Sequence, residues 1–233
     1  MKNSRQYSAR IQKLFRAMRR EYGKVKKAAF DEPVNALIQA ILSERMADGA
    51  AQSAAKRLAG HFVDWNDLRV SRPDEIVEVL GKDAGDMRTT ASVLTRSLYS
   101  VFNRYDIVSL QSLAQMGKRS ARQTLTKLDA VSPFVCDYVM LTSLKAHAIP
   151  LTAKMIEYLK AEEFVHPSAD DADIQGFLTR QIPASKAYEF YSLLRQESEK
   201  EAVKAKAAAK EKKKQETAAK RKRSTKAVSK KKK

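Results

Sequence analysis

An all-α protein is predicted, on three observations. Apolar residues recur at three- and four-residue spacing along most of the chain, the period of an amphipathic helix. No alternating apolar run reaches strand length between turn signals. Only seven glycines and six prolines interrupt the 233 residues, enough chain to bury one or two modest cores.

The elements follow in order. Residues 2–22 read as a basic helix with Ile11, Leu14, Phe15 and Met18 on one face. Asp31-Glu32-Pro33 is a helix start, and the helix it opens buries Leu37, Ile38, Ile41 and Leu42 before ending near Ser43 to Met46. Asp48 is predicted to cap the next helix, Gly49 to Leu58, stopped by Gly60. Trp65 and Leu68 mark a short helix or turn. Ser71 to Glu75 opens a helix through Leu80 that Gly81 stops. Residues 86–103 form a longer helix with Met87, Ala91, Leu94, Leu98, Val101 and Phe102 inward, and Leu110 and Leu113 mark another short one.

The most informative stretch is Leu128-Asp129-Ala130-Val131-Ser132-Pro133-Phe134. Upstream, Ala121, Leu125 and Leu128 share a helical face; downstream, Phe134, Val135, Tyr138, Val139, Leu141 and Leu144 do the same. Ser132 can cap the second helix with its hydroxyl, and Pro133 sits where a missing N–H costs nothing. Two helices joined by a capped, very short turn make a helix-hairpin-helix over 119–145. The free N–H groups at the start of the second helix suit a phosphate. The same pattern describes an ordinary αα-hairpin.

After Ile149-Pro150-Leu151 the helical pattern resumes from Thr152 to Lys160, with Met155, Ile156 and Leu159 apolar. His166-Pro167-Ser168 is a loop, and Asp173 to Gln181 and Ala184 to Gln196 are the last packed helices. Residues 199–233 lack large apolar side chains apart from Val203 and Val228. They are expected to form a Lys/Ala-rich disordered basic tail, nascently helical in its first half.

Charge narrows the partner class. The net charge of +18 is concentrated at the ends: residues 199–233 carry +12 and residues 1–29 carry +9, which leaves −3 for residues 30–198. Basic ends favour a polyanion through salt-sensitive contacts, though such tails also serve solubility, so they specify no chemistry. No apolar stretch approaches the roughly 18 residues that span a bilayer, and the N-terminus lacks the apolar core of a signal peptide. The expected location is cytoplasmic, associated with the nucleoid. The single cysteine, Cys136, excludes an internal disulfide framework and a multi-cysteine metal site, and reads as a small core residue. His61, His147 and His166 are scattered without ligand spacing, so neither a metal nor another cofactor is predicted.

Several motifs, in order, resemble the endonuclease III branch of the helix-hairpin-helix DNA glycosylase superfamily over about residues 31–195. Ala40 to Asp48 is similar to the family's LLSxQxxD segment, with Arg45 at the glutamine and Asp48 at the aspartate. Pro73 to Ile76 and the helix bearing Met87 and Arg88 correspond to family helices. Leu128 to Leu141 falls on LPGVGxKTAxxVL, and Ile149 to Lys154 on the xxVDTH segment. The resemblance implies a two-lobed helical fold, one lobe spanning about 33–146 and the other combining the N-terminal helix (1–30) with the helices of 148–198. It implies a monomer that binds duplex DNA, damaged DNA included, across the cleft, with a base flipped out and a phosphate held by hairpin N–H groups. Arg45, Ala130, Val131, Ser132 and Lys154 would then be the DNA-binding residues.

The departures bear on chemistry. The family's hairpin glycines fall on Ala130 and Ser132. Its lyase lysine, a Schiff-base nucleophile, falls on Phe134; its catalytic aspartate falls on Thr152, and the following histidine on Lys154. The four iron–sulfur cysteines are absent. The resemblance therefore points to a non-catalytic or catalytically atypical DNA-binding member of a base-excision repair superfamily. Alternatives are an active glycosylase or lyase with a relocated residue, Lys154 or Asp129 being the candidates, and a helical partner-binding protein that keeps only the fold. Asp129 otherwise orients the turn, and Asp137 faces solvent or basic neighbours.

Overall fold

The computed structural model describes residues 4–81, 87–205 and 207. Among them every regular element is helical: α1 (Ser4–Tyr22), α2 (Pro33–Arg45), α3 (Asp48–His61), α4 (Trp65–Val70), α5 (Pro73–Leu80), α6 (Met87–Tyr105), α7 (Lys118–Leu125), α8 (Pro133–Thr142), α9 (Ala153–Ala161), α10 (Asp171–Gln181) and α11 (187–205). Two 3₁₀ turns, Gln111–Gln115 and Ala184–Lys186, join α6 to α7 and α10 to α11.

Two helices with no polar face organise the rest. Ala36 to Ser43 of α2 and Phe134 to Thr142 of α8 are buried without interruption, as expected for helices apolar nearly all round. They pack on each other, and α2 also contacts α3 and α6. Each of Leu37, Ile38, Ile41 and Leu42 is at most 1% exposed, a burial that contributes about 1.5–3 kcal/mol per side chain. Glu32 caps α2 and also accepts the Leu110 N–H at 2.9 Å, which fixes the 3₁₀ turn to the start of the central helix. α4, α5 and α6 complete this lobe.

The first described helix packs with the last ones. α1 lays Ile11, Leu14, Phe15 and Met18 against α10 and α11, with Phe15 edge-on to Phe190 at 5.3 Å. Arg19 pairs with Glu189 at 2.8 Å, and Tyr22 donates to Glu197 at 2.6 Å. Phe134 and Tyr138 of α8 meet Tyr191 of α11 at 6.4 and 5.8 Å, an aromatic cluster between the lobes.

Several expectations need correction. Ala47, which makes no side-chain cap, precedes α3, and Asp48 is its first helical residue; its N–H is instead taken by Glu199 at 3.2 Å. α3 runs through Gly60 to His61, because a glycine can sit inside a helix whose neighbours hold it. Phe102 is only half-buried and lies under the Arg69 guanidinium, 4.0 Å away. Helix α11 continues past the expected tail boundary at 199, since Glu199 is held by Arg195 at 2.9 Å. The remainder of the expected tail, 208–233, lies outside the described residues, as does residue 86 at the predicted start of α6.

Candidate nucleic-acid interface

The turn between α7 and α8 is built in layers. α7 ends at Leu125, and buried Leu128 anchors the turn to the core. Ala130 then adopts φ +58°, the left-handed conformation in which glycine is normally required and an L side chain costs about 1–2 kcal/mol. The Ala130 position thus keeps a glycine's geometry with an alanine in it. Ser132 caps α8, its hydroxyl oxygen accepting the Val135 N–H at 3.1 Å, and Pro133 is the first helical residue.

α6 clamps the turn from one side. Arg96 grips the Asp129 carboxylate with Nε at 3.0 Å and Nη2 at 2.7 Å. Ser97 donates to the Asp129 carbonyl at 3.2 Å, and Ser100 accepts the Asp129 N–H at 2.9 Å. The hydrogen bonds from Arg96 hold the Asp129 carboxyl below the usual carboxylate range. Asp129 therefore fixes the turn to α6. Among the described residues the N–H groups of Val131 and Ser132 have no protein partner, so the turn leaves two donors free beside the positive end of the α8 dipole.

Glu44, near the end of α2, reaches this point: it accepts the Ser132 hydroxyl at 2.6 Å. A carboxylate therefore stands beside the start of α8. Arg45, the next residue, ends α2 and is exposed, with no ion-pair partner among the described residues. Lys154 is exposed in the first turn of α9, also unpaired among the described residues. Thr152 is the N-cap of α9, accepting the Met155 N–H at 3.4 Å, so the position of the family aspartate closes a helix end. Phe134 is 4% exposed, its ring 6.1 Å from that of Tyr138.

A cavity of about 500 Å³ opens beside Phe134, lined by Glu44, Leu151, Ile156, Asp171 and Gln175 among others. Neither Lys154 nor Asp129 lines it; the carboxylates that do are Glu44 and Asp171. Sequence reasoning passed over Glu44, which bridges 88 residues to reach Ser132. It also passed over Arg195, whose guanidinium donates to the Ser43 and Met46 carbonyls at 2.8 and 2.7 Å and to Tyr191 at 3.0 Å. Arg195 thereby fixes the end of α2 on both sides of Arg45. A single arginine on an apolar helix gave no signal.

Asp137 is buried rather than facing solvent, paired with Arg122. Burial raises its carboxyl above the usual range, and the Arg122 charge opposes that shift. Cys136 is buried, which pushes its thiol up to about 11 and removes it as a nucleophile at neutral pH. No group of three or more His, Cys, Asp or Glu among the described residues is arranged to hold a metal ion.

The helical fold with its α7–α8 hairpin is similar to that of the helix-hairpin-helix DNA glycosylases. The sequence matches no family model and no curated protein; solved structures carry the likeness. An endonuclease III trapped as a covalent DNA intermediate is similar over 84% of this chain and 85% of its own, at 16% identity and a TM-score of 0.64. A Clostridium acetobutylicum 8-oxoguanine glycosylase/lyase in complex with DNA covers 86% of this chain and 71% of its own, at 14% identity and TM-score 0.62. An H. pylori 3-methyladenine DNA glycosylase covers 82% and 98%, at 12% identity and TM-score 0.62.

Proposed function

We propose that this chain binds duplex DNA, with damaged duplexes among its targets, by docking a backbone phosphate on the hairpin while its basic ends hold the strand non-specifically. The observation that carries the reading is the hairpin itself: the left-handed residue at Ala130, the capped helix start at Ser132 and two unpartnered N–H groups are preserved where the glycines are not. Arg45 and Lys154, exposed and unpaired among the described residues, supply further contacts. Phosphate contacts of this kind position a protein without reading sequence.

In this reading the protein does not use the lyase chemistry of the glycosylases. A Schiff base needs an amine, and Phe134 instead closes the cluster between lobes, while Thr152 serves as a helix cap. A second reading has a specific observation in its favour: Glu44 and Asp171 line the cavity beside Phe134, so a carboxylate is available there as a general base for water attack at a sugar carbon. Glycosylase and nicking assays on lesion-bearing duplexes, with and without borohydride, separate the two. Duplex binding without cleavage supports the first. Base release without trapping, abolished in Glu44→Gln, supports the second. No duplex binding at all defeats both.

A further inference from the structure

A second, larger cavity lies on the other side of the aromatic cluster. It holds about 600 Å³, between the 24–30 segment, α2, α3, α4, α8 and α11, a volume typical of small-molecule sites. It shares no lining residue with the cavity beside Phe134, so nothing bound at the hairpin side need pass through it.

Its walls are aromatic: Phe30, Trp65, Tyr138, Tyr188 and Tyr191. Trp65 is fixed in place by its indole N–H, which donates to Asn35 Oδ1 at 2.6 Å. Two polar groups on these walls carry open hydrogen-bonding capacity among the described residues. The Tyr138 hydroxyl makes no hydrogen bond, although the residue is only 5% exposed. Gln39 is 7% exposed; its amide nitrogen donates to Ser43 at 3.0 Å while its carbonyl oxygen accepts nothing. An open donor and an open acceptor on the wall of one cavity suit a ligand with a matching hydrogen-bonding edge. The cavity's charged carboxylate is already engaged, since Asp48 accepts from Gln52 at 2.8 Å and faces Arg195 at 3.8 Å. At the rim stand Lys26, Lys27 and Lys56, exposed and without ion-pair partners among the described residues.

A planar ring would stack on the walls, its hydrogen-bonding edge would meet Tyr138 and Gln39, and an anionic group would reach the lysines. We propose that this cavity binds a free nucleoside monophosphate, the base between the aromatic side chains and the phosphate on Lys26, Lys27 and Lys56. The site is independent of duplex binding at the hairpin.

Trp65 is the only tryptophan in the chain, so its fluorescence reports on this cavity directly. Adenosine, guanosine, cytidine and thymidine monophosphates are titrated in turn into the full chain, with inorganic phosphate and the matching nucleosides as controls. Saturable quenching by at least one monophosphate is expected, with none from inorganic phosphate, which carries no ring to stack beside Trp65. Tyr138→Phe, which keeps the ring, should weaken that binding by about fivefold, the loss of one hydrogen bond. Lys26→Ala/Lys27→Ala should abolish the preference for the monophosphate over its nucleoside. The proposal is overturned if no monophosphate quenches saturably, if both variants bind unchanged, or if quenching appears only with duplex DNA.

Discussion

The carboxylate at the hairpin mouth sets a sharp expectation. Glu44 Oε1 lies 2.6 Å from the Ser132 hydroxyl, and a phosphate hydrogen-bonded to the Val131 and Ser132 N–H groups would stand about 6 Å from that carboxylate. Coulomb's law puts the repulsion at about 0.7 kcal/mol in bulk water and about 2.8 kcal/mol at an effective dielectric of about 20. Half-buried Glu44 falls between these limits, at about 1.4 kcal/mol, a tenfold change in affinity. Glu44→Gln keeps an acceptor for Ser132 and removes the charge, so duplex affinity should rise about tenfold at low salt, with the gain shrinking as salt screens the pair. Fluorescence anisotropy with a labelled duplex, over a salt series, measures it. Unchanged or weaker binding by a folded Glu44→Gln protein would refute the placement of phosphate at this helix end.

Ala130→Gly should raise Tm by about 2–3 °C in differential scanning calorimetry. Release of about 1–2 kcal/mol of left-handed strain exceeds the roughly 0.5–1 kcal/mol of added unfolded-state entropy; a lower Tm would contradict the strained turn. Phe134→Ala should cost about 3–5 kcal/mol in urea unfolding, the usual loss for a buried phenylalanine, and a loss under 1 kcal/mol would show that the ring does not join the lobes. The Asp129 carboxyl should titrate below its usual value of about 3.9, because Arg96 stabilises the charged form. A depressed folded-state pKa makes the clamp's contribution complete above the unfolded value and lost as pH falls through the folded one, so the Asp129 amide should lose its Ser100 contact only in strong acid. A carboxyl carbon titrating at or above the usual value would count against the clamp.

Helix positions were legible because periodicity and caps are local: Pro33, Pro73 and Pro133 each open a helix where the sequence placed one. Asp48 misled for a local reason too, since a carboxylate at a helix start reads as a cap whether it stands at the cap or one residue inside. The hairpin was legible from Ser132-Pro133, but its strain at Ala130 was not, because alanine carries no mark of positive φ. The Glu44–Ser132 contact and the Arg195 hydrogen bonds connect residues 88 and about 150 positions apart, and no pattern within either segment encodes such pairings. Asp137 reads as facing solvent or basic neighbours; the structure pairs it with Arg122, one helix earlier, and buries it, which no local pattern marks. The 600 Å³ cavity draws its walls from six separate segments, so its aromatic side chains form no motif in the sequence.

The measurement closest to the central claim is amide mapping on the full chain: backbone chemical shifts of the ¹⁵N-labelled protein, recorded with and without a duplex carrying an abasic-site analogue. Docking at the hairpin predicts the largest changes at Val131, Ser132 and Arg45, with Lys154 following. Changes confined to the basic ends, with the Val131 and Ser132 amides unmoved, would contradict it.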